Sequence, residues 1–141
     1  MNAVSLRSIV AVVLALAGST LGAQAQTTNT SARGNVYAAG GTVRPGSPVE
    51  GDFVGVGGRV TIDQAVKGDA TVAGGSVDLR APVGDDVRAA GGDVNVESTV
   101  GGELVAVGGN VTLAKSAQVE QGAMLAGGSI TIDGSAPSRS R

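Results

Sequence analysis

The 141-residue sequence contains no cysteine, histidine or tryptophan, and its only aromatic residues are Tyr37 and Phe53. The chain therefore has no disulfide, no thiol nucleophile, no imidazole base and no histidine or cysteine metal ligand. Ten basic residues against twelve acidic ones give a net charge of -2, which leaves no basic excess for nucleic-acid binding. So few aromatic rings make an ordinary globular core unexpected, although a hydrophobic content of 42% argues against simple disorder.

The N-terminal residues have the order of a secretory signal peptide. Arg7 precedes an apolar run from Ile9 to Ala17, and small residues follow as far as Ala25. The run is shorter than the roughly 20 residues that a membrane-spanning helix needs, which disfavours the alternative of a retained anchor. We expect residues 1–25 to be a signal peptide and 26–33 a polar leader, and we expect the mature protein to be periplasmic or secreted.

A repeat organises the rest of the chain. Glycine pairs at 40–41, 57–58, 74–75, 91–92, 108–109 and 127–128 are separated by 17, 17, 17, 17 and 19 residues. After each pair, apolar and polar residues alternate as in a half-buried strand. The apolar positions of that strand begin at Val43, Val60, Val77, Val94, Val111 and Ile130. A second short strand is expected before each pair. A third apolar point recurs at Val49, Val66, Val83, Val100 and Val119.

Three apolar zones per repeat predict a coil with three short sides. One coil buries too little surface to be stable until another lies over it. We therefore predict an all-β fold, a single-stranded parallel β-helix (β-solenoid) of about six coils over residues 34–134. Equivalent residues would stack at about 4.8 Å, with the glycine pairs at corners that need positive φ. The alternative, an antiparallel meander with hairpins at the glycine pairs, gives no reason for the regular period.

One polar column is a candidate for chemistry. Asn35, Asp52, Asp69, Asp86 and Glu103 hold the same place in successive repeats. Stacked carboxylates are possible calcium ligands. Aspartate after glycine is also common at turns, where it binds the following backbone amides, and the nine-residue calcium-binding solenoid pattern is absent. We assign no metal, cofactor or catalytic residue.

Enzymatic and ice-binding interpretations find little support. Acyltransferases with six-residue solenoid sides use a histidine base, which this chain lacks. Carboxylate pairs such as Asp85 with Asp86, or Asp78 with Asp93, are possible in glycoside cleavage, but no aromatic subsites accompany them. Ice binding needs a regular threonine array. The outward column here is mixed, with Arg44, Thr61, Asp78, Asn95, Thr112 and Thr131.

The ends of the solenoid are expected to be adhesive. No cap is visible in the sequence, because the leader and residues 135–141 are polar tails expected to be disordered. End-to-end addition would continue both the backbone pairing and the apolar columns. Pro45 and Pro48 oppose this at the first coil because proline has no N–H donor, so the C-terminal end is the more adhesive.

The repeated Gly-Asp and Gly-Gly-x-Val-x-Ile units between Gly51 and Leu113 resemble those of the bactofilins. The resemblance covers residues 34–134 and implies a right-handed, triangular β-helix that polymerises without nucleotide and scaffolds other proteins. Bactofilins are cytoplasmic, so with an export signal only the fold and self-association carry over. Our leading hypothesis is a non-catalytic structural protein that self-assembles end to end or scaffolds the cell envelope. The alternative is a binding module that recognises a cell-wall glycan or protein through outward residues such as Arg59 and Arg88.

Overall fold

The computed structural model describes residues 28–32 and 34–135, which are all-β and contain no helix. The strands are β1 Thr28–Ala32, β2 Asn35–Val43, β3 Phe53–Ile62, β4 Ala70–Leu79, β5 Val87–Val96, β6 Thr99–Val100, β7 Glu103–Leu113, β8 Gln118–Val119 and β9 Gly122–Ile132. The expected signal peptide and residues 136–141 of the expected tail lie outside the described residues. Ser135, assigned to that tail, instead forms a bridge with Gln118.

The long strands stack in parallel, one per coil. Strands β2, β3, β4, β5, β7 and β9 are hydrogen-bonded in that order, and each is the equivalent of the one before it. The register aligns Val60 with Val77 and Val77 with Val94, as the repeat predicts. A second stacked side runs through Val49, Val66, Val83 and Val100 and continues in the β6–β8 pair. The predicted β-solenoid of about six turns is therefore confirmed.

The core is a set of apolar columns inside the coils. Phe53, Ala70, Val87 and Leu104 form one fully buried column, and Ile62, Leu79, Val96 and Leu113 form another. Strands paired at about 4.8 Å place identical positions in contact, so β-branched and small side chains fill the narrow interior. The solenoid interior also holds the aromatic ring of Phe53. The ring fits because the adjacent residue Gly55 has no side chain.

The prediction that the glycine pairs need positive φ is wrong, although in β3 the inward positions change from 53 and 55 to 60 and 62 across the pair, as at a corner. Each long strand runs without interruption through its glycine pair, and Gly34 is the only described glycine with positive φ. The pairs are required by close approach between coils. A Cβ on Gly74 would clash with the carbonyl oxygen of Gly57, and a Cβ on Gly75 would lie 2.9 Å from that of Gly58.

The two-residue insertion lies at a corner, as expected. The N–H of Ala117 donates to the carbonyl of Ala114 at 2.9 Å, which closes a turn at Lys115 and Ser116 between β7 and β8. Ser116 Oγ donates to the carbonyl of Glu97 at 2.6 Å. Ala117 returns to the core, so the extra residues leave the columns intact.

The two ends of the sheet differ. The leader expected to be disordered is a strand over Thr28–Ala32, and it pairs antiparallel with β2. Gly34, with φ of 82°, lies in the tight turn that joins them. This hairpin covers the sheet edge of the first coil. At the other end β9 pairs with β7 alone among the described strands, which leaves its second edge open.

Candidate functional site

Asn35, Asp52, Asp69, Asp86 and Glu103 form the column that we call the acidic column. It is a ladder of hydrogen bonds between coils. Asp52 Oδ1 accepts a hydrogen bond of 2.9 Å from the N–H of Asp69, and Asp69 Oδ1 accepts one of 2.9 Å from Asp86. Asn35 begins the ladder, and Asp86 continues it to the N–H of Glu103 at 2.8 Å. Each side chain thus satisfies a backbone donor 17 residues further along the chain. The turn interpretation had assigned these acceptors to the amides that directly follow each aspartate.

The same ladder explains the Gly-Asp units. A Cβ on Gly68 would clash with Asp52 Oδ1, and a Cβ on Gly102 would clash with Asp86 Oδ1. Glycine therefore makes room for the side-chain oxygen of the preceding coil at positions 51, 68 and 102, whereas Asp85 occupies the equivalent position before Asp86. No group of three or more His, Cys, Asp or Glu side chains within residues 28–32 and 34–135 is placed to hold a metal ion. These observations give the carboxylates a structural role in coil stacking.

Of the other candidate acids, Asp85 is exposed in the loop between β4 and β5, and Asp78 and Asp93 lie on the outward surface of the long strands. Asp78 Oδ1 accepts a hydrogen bond of 3.1 Å from Asn95 Nδ2. Asp93 Oδ1 accepts one of 2.8 Å from Asn110 Nδ2. Each pair again joins equivalent positions of successive coils. The structure brings Asp78 and Asp93 to one surface and assigns Asp86 to the ladder.

That surface is a polar groove of about 500 Å³, formed by the outward side chains of β3, β4, β5 and β7 beyond their glycine pairs. Thr61 lines it and is buried, although its side chain is on the outward face. The charged residues of the lining are Arg44, Arg59, Asp78, Arg80 and Asp93. We refer to this feature as the polar groove.

The outward face before the glycine pairs is apolar in part. Val107 and Met124 are 49% and 69% exposed, and Val54, Val56 and Val105 are half-buried on the same face. Sequence reasoning missed this face because it sought inward positions only. The signal was present, since the residues flanking the small inward positions Gly55 and Ala106 are valines.

The C-terminal coil exposes the interior of the solenoid. Val111 and Leu113 are each 1% exposed, whereas their register partners Ile130 and Ile132 are 42% and 59% exposed. Ala123 is also exposed, although its partner Leu104 is fully buried. We call this surface the open coil. It joins an apolar cross-section to the free backbone edge of β9.

Comparisons of the chain with protein-family models, with curated proteins and with solved structures give no match. Residues 28–32 and 34–135 include no helix with the length and hydropathy needed to cross a membrane.

Proposed function

We propose that this chain is a non-catalytic, exported structural protein whose solenoids join through the open coil. The observation that carries the proposal is the exposure of Ile130 and Ile132 at positions that are buried in every preceding coil from β3 onward. Burying them against another apolar surface releases water from both, and this is the main driving force of protein association. The signal-peptide pattern of residues 1–25 supports a site of action in the cell envelope.

The backbone supports the same surface. Strand β9 has eleven residues, and alternate ones direct unpaired N–H and C=O groups to its open edge, which is a template for pairing with another chain. Proline is absent from β9, so each residue that faces the open edge can donate. A second copy of the chain can satisfy the open coil in both respects, because it presents a free strand edge and an exposed apolar interior of its own.

The geometry of the ends favours contact between two open coils. Because β1 covers the edge of β2, the first coil offers β9 only the edge of the five-residue β1 and not that of the nine-residue β2. Two identical surfaces that meet are related by a two-fold axis, which would pair the two β9 strands antiparallel. We expect growth beyond this pair to be favoured when β1 leaves β2 and exposes the longer edge.

The test is the molar mass of the purified protein by light scattering over a concentration series, with electron microscopy of the same samples. We expect the mass to rise at least to that of a dimer. The double variant Ile130→Lys with Ile132→Lys places charge in the open coil and should remain monomeric. Val105→Lys with Val107→Lys is the matched control, because it adds the same charge to apolar residues of the outward face on β7, which is not an edge strand.

The control should associate like the unmodified protein. A protein that stays monomeric at all concentrations would refute the proposal. Association that is lost in the control and retained in the open-coil variant would also refute it, because the outward apolar face would then be the interface.

A further inference from the structure

We infer that the polar groove is a binding site for a carboxylate-bearing oligosaccharide. The inference is independent of self-association, because the groove lies on the outer face of the coils and the open coil lies at the end. Every residue that lines the groove is polar or charged. A polar concave surface binds its ligand through charge and hydrogen bonds. An acidic oligosaccharide can form both kinds of contact, through its carboxylates and its hydroxyl groups.

The arginines supply the anionic subsite. Arg44, Arg59 and Arg80 line the groove around Thr61, against the two lining aspartates Asp78 and Asp93. Arg44 lies 3.8 Å from Asp63. Arg59 and Arg80 form no side-chain ion pair or hydrogen bond with any other residue that the structure describes. Two guanidinium groups without a protein partner can each bind a carboxylate through two parallel N–H donors.

The amide and carboxylate pairs supply the neutral subsites. Asn95 Nδ2 and Asn110 Nδ2 each bind one carboxylate oxygen of the neighbouring coil. An amide nitrogen carries two hydrogens, so each pair keeps a donor and several acceptor lone pairs for ligand hydroxyls. The two pairs lie at two different positions of the coil, because Asp78 aligns with Asn95 in one column and Asp93 aligns with Asn110 in the other. Successive coils, about 4.8 Å apart, nevertheless each present a polar side chain in both columns. A linear chain lying along the solenoid axis therefore meets hydrogen-bonding groups on every coil.

The absence of aromatic residues from the groove sets the character of binding. Sugar rings find no stacking platform there, so affinity depends on the carboxylates and is screened by salt. The ligand must be acidic, because neutral sugars would meet only the amide pairs.

The experiment titrates the purified protein with tetragalacturonate at low ionic strength and follows backbone amide shifts by NMR. Fully methyl-esterified tetragalacturonate is the matched ligand, since it keeps the chain and removes the charge. We expect the shifts to map to groove residues of β3, β4 and β5. We expect the ester to bind at least about tenfold more weakly, because it loses charge-assisted hydrogen bonds.

Protein variants test whether binding needs the arginines of the groove or only positive charge somewhere on the surface. Arg59→Gln with Arg80→Gln should weaken tetragalacturonate binding by about tenfold or more. Arg88→Gln is the control, because Arg88 is also exposed but lies on the outward face of β5 before its glycine pair. Arg59→Lys should give an intermediate loss, since it keeps the charge and removes the planar fork.

No binding of tetragalacturonate would overturn the inference. Equal binding of the ester, shifts that map elsewhere, or equal losses in the groove variant and in Arg88→Gln would overturn it as well. The variant with lysines at positions 130 and 132 should bind unchanged, so failure of self-association and failure of the groove are distinguishable.

Discussion

Asp69 Oδ1 accepts a hydrogen bond of 2.9 Å from the backbone N–H of Asp86, its equivalent one coil further along the solenoid. The bond is part-buried and belongs to a ladder that begins at Asn35 and ends at the N–H of Glu103. A side chain here does what a backbone carbonyl does elsewhere in the sheet. The column of acids therefore adds side-chain bonds between neighbouring coils beside the backbone bonds from Gly68 to Gly51 and from Ala70 to Asp86.

Removing the acceptor should destabilise the solenoid. Asp69→Ala leaves the N–H of Asp86 without its partner, and we expect the free energy of unfolding to fall by about 1–2 kcal/mol. Asp69→Asn keeps an oxygen at the same position and should stay within about 0.5 kcal/mol of the unmodified protein. Urea denaturation measures both. Asp85→Ala is the control, because it removes the same charge from an exposed residue next to Asp86 that accepts no bond of the ladder.

The ladder also places like charges close together. Successive carboxylates of the column lie one coil apart, at about 4.8 Å, well inside the Debye length of about 10 Å at 0.1 M salt. Asp69→Asn should therefore gain stability relative to the unmodified protein at low salt, and the gain should disappear in concentrated salt. Equal stability of Asp69→Ala and Asp85→Ala would show that the hydrogen bond contributes nothing.

The glycine pairs lead to a second prediction. A methyl group at position 74 would press on the carbonyl oxygen of Gly57, and that oxygen cannot move without separating β3 from β4. We expect Gly74→Ala to lower the free energy of unfolding by more than about 2 kcal/mol. Gly46→Ala is the matched control, since no atom lies within 4 Å of a Cβ there, and it should change stability by less than about 0.5 kcal/mol. Similar melting of the two variants would contradict the close-approach explanation.

The regular period made the columns predictable. With identical residues every 17 positions, Val60, Val77 and Val94 can be satisfied together only when coils stack in register, and their alignment follows. The insertion was predictable for the same reason, because extra residues disturb the columns least at a corner. The position of Asp69 in a polar column followed too. Its hydrogen-bond partner did not, because turn chemistry looks to the next few residues and the acceptor serves a donor one coil away.

Other features depend on contacts that no local pattern records. The role of Gly74 depends on a carbonyl in another coil, and a glycine pair within a strand has the same composition as one in a turn. Strand β1 has no apolar alternation, and only the vacant edge of β2 gives it a partner. Burial of Thr61 depends on the shape of the outward groove, although its polar character was evident.

A third prediction concerns the insertion. Deleting Lys115 and Ser116 restores the 17-residue spacing and joins Ala114 directly to the buried Ala117. The deletion loses the bond from Ser116 Oγ to the Glu97 carbonyl and shortens an exposed loop. These effects are small and opposed, so stability should change by less than about 1 kcal/mol.

The control for this deletion removes two residues from within β7. Loss of Asn110 and Val111 keeps the alternation of inward and outward residues but displaces the rest of the strand from its columns. It should destabilise far more than loss of the insertion, as measured by thermal unfolding. A comparable loss of thermal stability in the two variants would mean that the corner tolerates a change of length no better than the strand does.

The last prediction concerns β1 and the asymmetry of the ends. In an antiparallel edge strand, alternate residues donate to the neighbouring strand, so prolines at two adjacent positions must remove at least one donor. The double variant Asn29→Pro with Thr30→Pro should therefore release β1 from β2 and replace the five-residue edge of β1 by the nine-residue edge of β2. Because the first coil would then offer a longer strand for pairing, we expect assemblies larger than those of the unmodified protein at the same concentration, measured by light scattering and electron microscopy. Asn29→Ala with Thr30→Ala keeps the donors and should leave the mass unchanged. Combined with lysines at positions 130 and 132, the proline variant should associate through its first coil alone and stop at a pair. A mass that the prolines leave unaltered would show that β1 does not limit growth at that end.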